Sequence, residues 1–297
     1  MTDFVRDLGR VLVTGGQGFL GVALVRRLRA LGRDVTATDM TSDSHACDLT
    51  DFAAVEALVR GGYQTIFHCG AVSGPMVLAD RPLAIWRINA LGTAHVLEAA
   101  RLHAAERVVV CSTSEVYGPR TRQVDELSLP DPHSVYAASK LAAEAATLGY
   151  VHQHGLDAVA LRLSWIYGAG RRTPTTLETV VRAVIAGQDA VFDARPDDMT
   201  HYLYIDDAVS GLIAAGRAAV LRERIYNISA GDGIPVRTLV DIVMRLQPRS
   251  RIALCLDGQS GDGPLAIDNR RAAAQLGFQP AMTAEAGLEG YLRALRA

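Results

Sequence analysis

The segment that most restricts the fold is RVLVTGGQGFLG, residues 10–21. Arg10 to Thr14 reads as a short buried strand, and from Val22 to Leu31 the apolar residues recur at helical spacing. Gly15, Gly18 and Gly21 divide the work of the junction between them. Gly15 permits a tight turn, Gly18 lets a pyrophosphate approach backbone with no Cβ in the way, and Gly21 lets the helix close on the sheet. The helix N-terminus adds unpaired N–H groups and partial positive charge, which favour phosphates. Phe19 and Leu20, inside the turn, are placed against the same ligand. A second strand runs Val35–Asp39, and Asp39 lies 18 residues after Gly21. A carboxylate there accepts from an adenosine ribose hydroxyl and repels a 2′-phosphate, so the expected cofactor is NAD rather than NADP.

Beyond the turn the chain alternates. Strands are expected at Val11–Thr14, Val35–Asp39, Thr65–His68, Val108–Ser112 and Ala158–Leu163, with helices near Gly18–Leu31, Asp51–Val59, Pro82–Leu102 and Val135–His154. This alternation implies an α/β fold, a doubly wound parallel sheet with helices on both faces. Ligands then bind beyond the carboxyl ends of the strands. After Gly168 the elements shorten: Thr175–Ala186, Ala190–Phe192, Asp206–Arg217, Arg224–Ile228, Val236–Arg245 and Ile252–Leu256. Two helices, Asn269–Leu276 and Ala284–Leu295, finish the chain. We expect a nucleotide-binding domain over 1–168 and a smaller substrate lobe over 169–297, with segments near 200–230 returning to the main sheet.

The charge balance, 30 basic against 32 acidic residues in 297, gives no reason to expect nucleic acid or a membrane surface as partner. MTDFVRDLGR lacks the apolar centre of a secretory signal, and no apolar run approaches a membrane span. Cys47, Cys69, Cys111 and Cys255 are far apart and read as small core residues in a reducing cytoplasm. No metal site is expected: there is no CxxC pair, and His152 and His154 fall on different sides of a helix.

The second motif is Tyr136-Ala-Ala-Ser-Lys140. A spacing of four puts phenol and ammonium on one helix face. An ammonium beside a phenol favours phenolate, pulling down a pKa that starts near ~10. The phenolate can take a proton from a substrate hydroxyl as hydride leaves the same carbon. The third motif, CSTSEVYG, spans Cys111 to Gly118 at the end of the fourth strand. Thr113, four residues before Tyr117, is preferred over Ser112 and Ser114 as the hydroxyl holding the substrate oxygen. The alternative is a polar strand end whose hydroxyls cap the next turn.

Together TGGQGFLG, Asp39, Asp48-Leu49, STSEVYG and YAASK resemble the extended short-chain dehydrogenase/reductase family, the NAD-dependent epimerases and dehydratases. The resemblance covers nearly the whole chain. It implies a Rossmann domain, bound NAD, and a catalytic set of Thr113, Tyr136 and Lys140, with Lys140 also bonding the nicotinamide ribose. It implies Asp48 and Leu49 beside the adenine. Cys69, Gly70 and Ala71, in HCGAVSG, would line the cofactor behind the third strand, with Ile166 also against it. Asn89, in INALGT, matches the family's asparagine that orders the active-site helix and is counted with the cofactor site; a helix-surface asparagine is the alternative. A homodimer through the helices near 82–102 and 135–154 is implied too, although both would equally cover the sheet of a monomer.

The sequence departs from the family where nucleotide-linked sugars are held. The asparagine of an LRxxNVYG-like pattern is Trp165 in LRLSWIYG. The arginine of an RDYxxVxD-like pattern is Thr200 in THYLYIDD, and that of a GRxGD-like segment is Gln259 in GQSGD. Two phosphates need cationic or multi-donor partners. With those anchors gone and the lobe short, we expect a smaller carbohydrate without a nucleotide, as in the family's short sugar-acid (uronate-type) dehydrogenases. Arg171 and Arg172, directly after YGAG, are candidates to clamp a carboxylate, or else solvated loop residues. Ser73, Ser114 and Trp165 are further substrate candidates. The dehydratases' Asp-Glu pair is Ser114-Glu115 here, so dehydration is not expected. The expected function is NAD-dependent hydride transfer at a carbinol of a sugar, sugar acid or polyol. The alternative is a sugar-nucleotide epimerase resembling UDP-glucose 4-epimerase.

Overall fold

The computed structural model describes residues 5–41, 45–120, 122–255 and 266–296. Gln259 lies outside the described residues. Six parallel strands form the central sheet. They are β1 (Val11–Thr14), β2 (Val35–Thr38), β3 (Thr65–His68), β4 (Arg107–Thr113), β5 (Ala158–Leu163) and a sixth, Ile225–Ile228, which pairs with β5. Across the sheet the order is sixth strand, β5, β4, β3, β1, β2. Every residue of β1, β3, β4 and β5 is buried, as strands covered on both faces must be. Beyond β2 the edge is extended by a single bridge, Asp39 to Ala46.

The helices divide between the two faces. α1 (Phe19–Ala30) and the helix Ile205–Arg217 bury Leu24, Leu28 and Leu212 against Val109 and Leu161. On the other side α2 (Phe52–Val59) and the helix Gly92–Leu102 set Val55, Val96 and Leu97 against Ile66 and Val108. A separate apolar cluster joins helices Thr176–Ile185, Val236–Leu246 and Ala284–Arg296 through Val181, Val240 and Leu288. After β1 the chain moves outward to β2, then returns to β3 on the other side of β1. That reversal opens a crevice at the carboxyl ends of β1 and β3, where such sheets take their ligands.

Two features depart from the sequence reading. The helix expected over Pro82–Leu102 is interrupted by a π-helical turn, Arg87–Leu91. Its cause is tertiary: the turn carries the fully buried Asn89 inward to polar partners. A two-stranded parallel pair, Trp165–Tyr167 with Tyr202–Tyr204, also forms beside the crevice. Three-residue strands carry too short an alternation to be read.

Candidate active site

One cavity of about 480 Å³ runs along the carboxyl ends of the strands from β2 to β5. The glycine turn forms its wall. Gly15 has φ +66°, and a Cβ there would stand 2.6 Å from the backbone of Gly70, so only glycine lets the loops after β1 and β3 touch. Gly18, Phe19 and Leu20 line the cavity, and α1 starts with no side-chain cap. The N–H groups of its first turn are left for an anion. Asp39 closes the β2 end, where its carboxylate accepts from the Gln17 N–H at 3.2 Å. Asp48 and Leu49 line the same end, Cys69, Gly70 and Ala71 follow along β3, and Ile166 completes this part of the wall.

Tyr136 and Lys140 enter the cavity from the first turns of the helix Val135–His154. Ser134 Oγ caps that helix, accepting from the Ala137 N–H at 3.0 Å. Lys140 Nζ donates to the Cys111 carbonyl at 2.9 Å, which ties the ammonium to β4. Burial pulls the Lys140 pKa down. Thr113 ends β4, and its Oγ1 caps the next turn by accepting from the Glu115 N–H at 3.2 Å. Burial pushes the Tyr136 phenol up to about 12, and a hydrogen bond with Thr113 opposes it without prevailing. This reverses the sequence expectation of a lowered phenol pKa. The physical reason is that the phenol is desolvated while the Lys140 ammonium sits on a backbone carbonyl.

Behind the cavity wall a buried chain of hydrogen bonds connects the cofactor loop to the tyrosine helix. The Gly70 N–H donates to Thr14 Oγ1 at 3.2 Å, and Thr14 Oγ1 lies 2.8 Å from His68 Nδ1. His68 Nε2 lies 3.0 Å from Thr93 Oγ1, which donates its proton to the Asn89 carbonyl at 2.5 Å. Thr93 must therefore accept from the Nε2–H of His68, leaving Nδ1 to accept from Thr14. Asn89 accepts from the Val72 N–H at 2.8 Å and donates to Ser139 Oγ at 2.9 Å; Ser139 donates to the Tyr136 carbonyl at 2.7 Å. Burial pushes His68 down to about 3, so the ring stays neutral.

At the far end, the Trp165 indole donates to Glu115 Oε1 at 2.6 Å, and burial raises the Glu115 pKa. Arg171 is half-buried. Its Nη1 donates to the Ile166 carbonyl at 2.8 Å and its Nε to the Thr173 carbonyl at 3.3 Å. The guanidinium lies 5.9 Å from the Phe19 ring centroid and 6.0 Å from that of Trp165. Among the described residues no carboxylate pairs with it. Arg172 is exposed, and Ser73 is exposed where it borders the cavity.

A family model, NAD dependent epimerase/dehydratase, matches residues 11–229. The chain belongs to this family. It is 27% identical over 302 residues to the UDP-glucose 4-epimerase of Corynebacterium glutamicum, covering 92% of each chain. It is 29% identical over 304 residues to the dTDP-glucose 4,6-dehydratase of Streptomyces griseus, covering 94% of this chain and 91% of the other. The solved structure of MoeE5 in complex with UDP-glucuronic acid and NAD superimposes with a TM-score of 0.85 at 29% identity, over 97% of this chain and 99% of that one. The NAD-dependent epimerase/dehydratase family thus supplies both the Rossmann fold and the cofactor.

Three features of the cavity suit NAD. The glycine turn leaves room that a Cβ would fill, α1 offers an uncapped N-terminus, and Ser164 Oγ is buried in the wall with no hydrogen-bond partner among the described residues. Two residues read from the sequence as site residues do not line the cavity. Asn89 lies behind it and bonds to Val72 and Ser139, so it acts through the loop and helix it joins. Ser114 is buried in the turn after β4 and is not part of the wall. Thr200 donates to the Ile234 carbonyl at 2.9 Å, closing a local strand pair. The sequence reading missed His68, Thr93 and Ser164. Their signal was weak, since a histidine or hydroxyl at a strand end is common and its partners come from distant segments.

Proposed function

We propose that this member of the family is an NAD-dependent dehydrogenase or reductase that moves a hydride between nicotinamide and a carbinol of a small acidic carbohydrate with no nucleotide attached. Arg171 carries this reading. It is a half-buried guanidinium at the cavity wall, stacked near two rings and without a carboxylate partner among the described residues. A desolvated cation is costly until an anion meets it, and its planar fork suits a carboxylate. Lys140, Arg171 and Arg172 are the only cations lining the cavity among the described residues. Lys140 is tied to the Cys111 carbonyl, which leaves Arg171 and the exposed Arg172 to meet a substrate anion. The short lobe gives no support of its own, because MoeE5, matched over 99% of its chain, was solved with UDP-glucuronic acid.

In this reading Thr113 and Tyr136 hold the reacting oxygen between them. Tyr136 Oη gives its proton to a carbonyl oxygen during reduction and takes one from a hydroxyl during oxidation. NAD supplies the hydride acceptor and a positive charge that favours phenolate. Asn89 and Ser139 fix the start of the helix so that the phenol meets the substrate in one geometry. The test is a panel of sugar acids, polyols, neutral sugars and UDP-sugars mixed with the protein and NAD. NADH absorbance should appear with sugar acids. Interconversion of UDP-sugars without net NADH would overturn this reading in favour of epimerisation, the activity named for the Corynebacterium relative.

The exposed Leu83, Trp86, Leu91 and Leu102 along one helical segment support pairing with a second copy of the chain. Sedimentation should give twice the chain mass; a monomer at micromolar concentration contradicts the pairing.

A further inference from the structure

We propose that Cys69 and Cys111 are an oxidisable dithiol in the NAD cavity, which closes to a disulfide when the cofactor is absent and is shielded when it is bound. Their sulfurs lie 3.6 Å apart, within thiol–thiol hydrogen-bond distance. Both residues line the cavity. Cys69 follows β3 and Cys111 lies in β4, one step beyond the paired residues His68 and Val110. Neighbouring strands lie about 4.8 Å apart. Opposed Cα atoms at that spacing fall within the range a disulfide spans. The inference does not depend on which substrate the site takes.

The two thiols are unequal. The hydrogen bond with Cys69 and the Lys140 ammonium favour the Cys111 thiolate against burial. The same hydrogen bond and burial hold Cys69 protonated. The Lys140 ammonium is held on the Cys111 carbonyl at 2.9 Å, which makes Cys111 the attacking sulfur and Cys69 the resolving one. Cys47 also borders the cavity, but burial and the carboxylates of Asp48 and Asp51 raise its pKa.

With hydrogen peroxide as oxidant the chemistry balances. The Cys111 thiolate attacks one peroxide oxygen and the O–O bond breaks. Hydroxide leaves, takes a proton and becomes water, and Cys111 is left as a sulfenic acid. Cys69 sulfur attacks Cys111 sulfur, the S–O bond breaks and the S–S bond forms. The departing oxygen leaves as a second water with the Cys69 proton. Two thiols lose two electrons and two protons, and peroxide becomes two waters.

Closing the sulfurs from 3.6 Å to bonding distance, about 2.05 Å, draws the ends of β3 and β4 together. Gly70 and the carbonyl that anchors Lys140 sit on those ends. The oxidised protein should lose NAD affinity, and a strained disulfide of this kind should be readily reduced by thiols.

The experiment treats cofactor-stripped and NAD-saturated protein with hydrogen peroxide, alkylates remaining thiols and maps the peptides by mass. The expected result is a Cys69–Cys111 linked peptide lighter by about 2 Da for the two hydrogens lost. It should form at least about tenfold faster without NAD, because access controls thiol oxidation. Dithiothreitol should restore both thiols and NAD affinity. In Cys69→Ser no link should form, and a sulfenic acid at Cys111 should be trapped by dimedone. The proposal is overturned if both thiols remain alkylatable, if the link involves Cys47 or Cys255, or if NAD leaves its rate unchanged. Should Cys69→Ser fail to fold, the wild-type peptide map decides alone.

Discussion

Replacing His68 with asparagine, and following both proteins downward from pH 8, isolates the buried chain between Gly70 and the tyrosine helix. In the folded protein the ring takes a proton only near pH 3, whereas its ordinary value is 6.5. Between those values the unfolded chain binds more protons than the folded one, so stability falls as pH falls. Each pH unit in that window is worth about 1.4 kcal/mol, so moving from 6.5 to 5 removes about 2 kcal/mol. The substitution deletes the ring's hydrogen bonds to Thr14 and Thr93, which costs about 1–3 kcal/mol at pH 8, and it deletes the titration as well. Other titrating groups are common to both proteins and cancel. Urea unfolding at pH 8 and pH 5 should therefore show the gap between wild type and His68→Asn shrinking by about 2 kcal/mol. An equal gap at both pH values would refute a neutral, desolvated His68 at the centre of the chain.

Arg171→Met should raise KM for an acidic substrate about 10- to 100-fold, the 1.5–3 kcal/mol of a hydrogen bond to a charged group, while leaving kcat near wild type. A fall in NAD affinity instead would assign that guanidinium to the cofactor's pyrophosphate. Gly15→Ala sets a Cβ 2.6 Å from Gly70 at φ +66°, so calorimetry should find NAD binding abolished; unchanged affinity contradicts the tight-turn argument. Because burial holds the Tyr136 phenol protonated, the oxidation rate should climb with pH by about tenfold per unit below the phenol pKa. The reduction rate should stay flat over the same range.

Much of this geometry is legible in the sequence because local rules and tertiary needs coincide. β1 and β3 are short apolar runs bounded by turn residues, and their limits agree with the structure. The helix Val135–His154 opens on a Ser134 cap and ends at Gly155 with φ +68°, both local signals. Where distant segments decide, the sequence is mute. Nothing local says that the residues around Asn89 adopt a π turn, because the reason is a buried bond to Ser139, fifty positions away. Nothing distinguishes Arg171 from Arg172 until Ile166, Phe19 and Trp165 surround one and leave the other exposed. The phenol pKa fails for the same reason: spacing puts Lys140 near Tyr136 but cannot show that the ammonium is held by Cys111.

The central claim is that one phenol moves the proton while the cofactor moves the hydride. Tyr136→Phe tests it most directly, with NAD affinity measured by calorimetry and turnover measured on the substrate found by the panel. Affinity should stay within about threefold of wild type, since no charge is lost, while turnover should fall at least about hundredfold, the usual contribution of a general acid–base group. Turnover near the wild-type rate, with NAD still bound, would contradict the account.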